Sequence, residues 1–124
     1  MLGSCELVGF VATTDLGRAS AFYGDLLGLE SLDETPGVLL FNANGTLLRA
    51  TLVEDLNPAP FTILGWSVVS IEDVVRHLGE QGVTFERFVG MEQDDLGIWT
   101  TPGGDKVAWF KDPDGNLLSL TQDR

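Results

Sequence analysis

One pattern is stated twice in this chain, and that duplication constrains its fold more than any other feature. Strand-like Val8 to Thr14 runs into Asp15, a helical stretch and Gly28, and strand-like Ile63 to Val69 runs into Ser70, a second helical stretch and Gly82. The junction residues Asp15 and Ser70 stand 55 positions apart, as do the strand starts Val8 and Ile63. Farther on, the turn Asn42-Ala43-Asn44-Gly45 leads into Leu47 to Val53, and Asp112-Pro113-Asp114-Gly115 leads into Leu117 to Thr121, with the closing glycines 70 positions apart. A repeat with matching landmarks allows equivalent positions of the two copies to be compared.

Local patterning fills in each copy. Val8, Phe10 and Ala12 alternate with Leu7, Gly9 and Val11, the period of a strand, and both sides are apolar enough to be covered. Asp15 suits a helix cap; Leu16, Ala19, Tyr23 and Leu26 follow at helical spacing, and Gly28 can end the helix in the left-handed region. Val38 to Phe41 and Leu47 to Val53 then form a hairpin about Asn44-Gly45. The second copy opens with a capping-box-like Ser70 to Asp73, and its helix carries Ile71, Val74, Val75 and Leu78. Short strands are expected over Val83 to Phe88 and Ile98 to Thr101, and further strands over Lys106 to Phe110 and Leu117 to Thr121. The acidic stretch Met91 to Leu96 reads as a loop, and Asn57-Pro58-Ala59-Pro60 as a break between copies. The organisation is one domain over 1–124, with module one at 1–56, a linker at 57–61 and module two at 62–124.

Charge narrows the partners. With 7 basic and 19 acidic residues the chain carries −12, so nucleic acid and anionic membrane surfaces, which need a positive face, are not expected partners. A cationic small molecule would be attracted at long range. No stretch approaches the roughly 18 apolar residues of a membrane-spanning helix. The single cysteine, Cys5, cannot make an intrachain disulfide, which fits a reducing, cytoplasmic setting.

Two segments carry a resemblance. Asp15-Leu16-Gly17-Arg18-Ala19-Ser20-Ala21-Phe22-Tyr23-Gly24-Asp25-Leu26-Leu27-Gly28-Leu29 and Phe110-Lys111-Asp112-Pro113-Asp114-Gly115-Asn116-Leu117-Leu118-Ser119-Leu120 resemble the opening and closing signatures of the vicinal oxygen chelate superfamily, the glyoxalase, bleomycin-resistance and extradiol-dioxygenase group. The resemblance implies an α+β fold of two tandem βαβββ modules forming an open eight-stranded mixed sheet around a cavity, with helices on the outer face. It also implies a small-molecule ligand and a homodimer.

The family default is a divalent metal held by two side chains from each module, and here the sequence departs from it. The position seven residues before the helix-starting residue falls on Val8 and on Ile63; the position four residues after the closing turn glycine falls on Arg49 and on Ser119. Metal capture needs imidazole, carboxylate or thiolate, and a guanidinium has no lone pair to give. No metal and no other cofactor is therefore expected. If the fold is as implied, Val8, Phe10, Arg49, Thr51, Ile63, Ser67 and Ser119 line the cavity, and Trp99 forms its wall or caps an aromatic or cationic ligand. Trp66 and Trp109 read as core anchors. Arg49 would pair with a carboxylate of the acidic loop (Glu92, Asp94 or Asp95), grip an anionic ligand, or reach to water at the rim.

Two function classes follow. One is metal-free binding or sequestration of a small molecule, similar to the bleomycin-resistance proteins. The other is a glyoxalase-like lyase or isomerase acting on a small oxygenated substrate, using Arg49 or a metal at other positions, with Asp94 or Asp95 as the base. His77 on the second helix reads as a surface residue, and Cys5 has no base beside it to activate it.

Overall fold

The computed structural model describes residues 1–33 and 35–124. The chain divides into two compact units, Met1–Asn57 and Pro58–Arg124. Each is a βαβββ module, in keeping with the α+β fold that the resemblance implies.

In the first unit a 3₁₀ turn (Leu2–Ser4) precedes β1 (Val8–Thr13), α1 (Leu16–Ala19), β2 (Glu30–Ser31), β3 (Val38–Ala43) and β4 (Thr46–Leu52). The sheet order is β1-β4-β3-β2, with β1 parallel to β4 and the other pairs antiparallel. Asp15 caps α1, its Oδ1 accepting from Arg18 N at 3.0 Å. The helix does not continue in α form to Gly28. After one turn it widens into a π-helix over Ser20–Leu26, closed by the Leu27 N–H donating to Phe22 O at 2.9 Å. Gly24, a poor helix former, lies inside this stretch, and the adjacent Phe22 and Tyr23 are both buried, with rings edge to face at 5.1 Å. Asn44 (φ 51°) and Gly45 (φ 95°) form the two-residue hairpin turn, and the Gly45 N–H donates to Asn42 Oδ1 at 2.7 Å.

In the second unit β5 (Leu64–Ser67) is followed by α2 (Ile71–Glu80), β6 (Trp99–Thr100), β7 (Lys106–Lys111) and β8 (Leu117–Gln122) in the sheet order β5-β8-β7-β6. Ser70 Oγ accepts from Asp73 N at 3.4 Å, and the Ile71 N–H donates to Gln122 Oε1 at 2.9 Å, tying the helix start to the last strand. The strand expected over Val83 to Phe88 is reduced to one bridge, Phe85 to Phe110, because the next residues are taken up by a side-chain-stitched loop. Conversely, the fourth strand that the βαβββ module requires in the first unit is the short polar β2, whose residues no sequence pattern picked out.

Each sheet has one helix-covered face. In the first unit it carries Val11, Thr13, Leu39, Phe41, Leu48 and Ala50, all buried with Ala19, Phe22 and Tyr23. In the second it carries Ala108, Phe110, Leu118 and Leu120, buried with Ile71, Val75 and Leu78 of α2. The opposite faces are not covered by the helix of their unit.

Candidate functional site

Register decides which residues those opposite faces hold, because strand side chains alternate. In the first unit Val8 pairs with Leu47, Phe10 with Arg49 and Ala12 with Thr51, while Leu40 flanks Arg49 from β3 and Val38 flanks Thr51. Val8, Phe10, Arg49 and Thr51 therefore share the helix-free face. Phe10 is 64% exposed although its strand neighbour Val11 is 4% exposed, the contrast expected of opposite faces. Arg49 and Thr51 are half-buried.

The second unit repeats this geometry. Gly65 pairs with Ser119 and Ser67 with Thr121, and the Ile63 N–H donates to Leu117 O at 2.9 Å just ahead of β5. Ile63 thus stands to Ser119 as Val8 stands to Arg49: adjacent parallel strands, offset by two residues on one face. A Cβ on Gly65 would lie 2.8 Å from Ser119 Oγ, so glycine there makes room for the buried serine.

Trp99 lies on this same face, and so does Trp109, which is not the core anchor read from sequence. Trp109 pairs with Ser119 across β7 and β8, on the side opposite Phe110 and Ala108. Its ring stacks on Trp99 at 6.2 Å and meets the Phe88 edge at 5.2 Å, making an aromatic cluster of half-buried indoles. Phe88 also borders a cavity of about 370 Å³ with Pro58, Pro60, Leu117 and the ion pair of Lys111 Nζ with Glu86 Oε1 (3.5 Å). Trp66 keeps the parity of Leu118 and Leu120, on the helix side.

The acidic loop is engaged with itself. Asp94 Oδ1 accepts from Leu96 N and Ile98 N, both at 2.9 Å, and Arg87 Nη2 donates to the carbonyls of Asp94 (2.8 Å) and Asp95 (2.9 Å). Gln93 closes the other side, donating to Glu86 O and Gly97 O and accepting from Phe88 N. Asp95 borders a groove beside Val75, Arg76 and Gly79 of α2, on the helix side of its unit. Asp94 is thus held by its own turn, and Asp95 lies away from the Ser119 face. His77 and Cys5 are exposed.

The family model for the glyoxalase/bleomycin resistance protein/dioxygenase superfamily matches residues 5–120. The chain belongs to this superfamily. Solved superfamily structures share its fold: a glyoxalase family protein from Bacillus anthracis aligns at TM-score 0.75 and 19% identity over 100% of both chains. Lactoylglutathione lyase from Agrobacterium tumefaciens aligns at 0.73 and 17% identity, covering 96% of this chain and 93% of its own. The genomically encoded fosfomycin resistance protein of Listeria monocytogenes aligns at 0.74 and 16% identity, covering 94% and 89%. No curated protein matches the chain in sequence.

Set against the superfamily's metal habit, the donor set does not fit. The four positions that its signatures point to carry two aliphatic side chains, a guanidinium and a hydroxyl, and the register leaves them in equivalent places on the helix-free faces. Among the described residues, no group of three or more His, Cys, Asp or Glu side chains is placed to hold a metal ion.

Proposed function

We propose that this superfamily member binds or sequesters a small molecule without a metal, on the helix-free faces of its sheets. The observation that carries the reading is the register-equivalent pair of positions in each module, Val8 with Arg49 and Ile63 with Ser119, none of which supplies a metal donor. The aromatic cluster of Trp99, Trp109 and Phe88 supports it, since half-exposed rings offer apolar contact area at little entropic cost. A homodimer in the cytoplasm belongs to the same proposal. β1 is an edge strand, and edges of this kind are commonly protected by pairing or covering.

A glyoxalase-like lyase is the second reading, favoured only by the positive charge of Arg49 beside Phe10 and Leu40, where it could stabilise an enolate. Recovery of the ligand separates the two. Compounds that raise the melting temperature are incubated with the protein for hours and analysed by mass spectrometry. The binding reading expects each to be recovered unchanged; turnover into a product would sink it in favour of the lyase.

A further inference from the structure

Arg49 is on an inner strand, with β1 on one side and β3 on the other. Its register neighbours are Phe10 and Leu40, and around them stand the apolar Val8, Ala12, Val38 and Leu47 with the uncharged polar Thr51 and Asn42. The side chain is half-buried there, yet among the described residues it makes no ion pair: the three ion pairs belong to Arg18, Lys106 and Lys111. The guanidinium hydrogen bonds among those residues belong to Arg18, Arg87 and Arg124. Asp94, one carboxylate the sequence offered as a partner, is taken up by its own turn. A partly desolvated cation with no counter-charge costs stability unless something supplies the charge.

We infer that Arg49 anchors an organic oxyanion, a carboxylate or phosphate carried on an apolar body about the size of an aromatic ring. The planar guanidinium meets two oxygens of such a group with parallel hydrogen bonds, and a phosphate offers the same edge. The exposed ring of Phe10 on one side and Leu40 on the other then contact the apolar body. The net charge of −12 favours cations at long range, but beyond about a Debye length salt screens that field, and the local contact selects the ligand. This inference rests on the proposal that the helix-free face is the ligand surface.

The test uses four probes of similar size, phenyl phosphate, benzoate, benzamide and benzylamine, titrated into the ¹⁵N-labelled full chain. The two anions are expected to bind at least about tenfold more tightly than benzamide and benzylamine, shifting amides of β1, β3 and β4. Arg49→Leu should bring them down to the benzamide level, and Arg49→Lys should retain part of the preference. Unliganded Arg49→Leu should melt at or above the wild type, because it removes a charge that has no ion-pair partner among the described residues. If Arg49→Leu instead melts several degrees lower while Arg49→Lys does not, the arginine belongs to an internal ion pair and the inference is overturned. If benzamide or benzylamine binds as well as the anions, the oxyanion assignment fails while the ligand-binding reading stands. If none of the four shifts that face, both fail.

Discussion

Phe41→Ala is expected to lower the unfolding free energy by about 4 kcal/mol and the melting temperature by roughly 15 °C. Phe41 sits on an inner strand with no exposed surface, facing Tyr23 at 6.1 Å between ring centroids. The π-helical stretch closes over it, and a Cβ on Gly24 would lie 3.5 Å from its Cε1, so neighbouring atoms are already at contact distance. Truncation therefore removes the ring's transfer free energy and leaves a cavity whose walls are fixed by the sheet on one side and the helical segment on the other. Phe41→Leu keeps most of the volume and should cost only about 1 kcal/mol. Urea unfolding measures both. An alanine variant within about 1 kcal/mol of the wild type would mean that the helical segment does not pack on β3 as described.

Asp112→Ala is the second large effect, and it acts through polar groups. Asp112 is 6% exposed; its Oδ1 accepts from Asp114 N and Asn116 N, both at 2.9 Å, and its Oδ2 from Asn116 Nδ2 at 2.8 Å. The backbone closes the same turn, Asp112 N donating to Asn116 O and Gly115 N to Asp112 O, each at 3.0 Å. One carboxylate thus shapes the five-residue connection that sets the β7 to β8 register and the position of Ser119. Alanine strands several donors in a mostly buried turn, and the expected loss is about 3 kcal/mol. Asparagine, with one acceptor oxygen left, should fall between the two. Wild-type stability in the alanine variant, measured by thermal unfolding, would show that the carboxylate does not hold the turn.

What the sequence disclosed and what it hid have physical reasons that can be traced to particular residues. The Asn44-Gly45 hairpin was legible because two successive positive-φ residues favour that pair, and the Asp112 turn because proline and glycine occupy fixed places in it. The face carrying Arg49 was legible because β4 alternates buried Leu48 and Ala50 with Leu47, Arg49 and Thr51. Trp109 was not, because β7 is apolar at both parities: Ala108 and Phe110 compete with Val107 and Trp109 for the core, and periodicity cannot rank them. Only the pairing with β8 resolves it. β2 escaped because two exposed polar residues carry no pattern, and the π-helix because its i to i+5 bonding leaves little trace in apolar spacing. The acidic loop looked like loose charge, yet Asp94 and Gln93 spend their polar atoms on nearby backbone, a short-range use that composition conceals.

The central claim is that the positions where this superfamily holds a metal have been given over to metal-free ligand contact, and metal content tests it most directly. Protein purified without chelator is analysed by inductively coupled plasma mass spectrometry, then titrated calorimetrically with zinc, nickel, manganese and iron(II). The account predicts substoichiometric metal and no tight site for any of the four, because a site lacking imidazole, carboxylate and thiolate donors has little affinity for them. One tightly held metal ion per chain would contradict it and would return the chain to the metal-dependent chemistry of its superfamily.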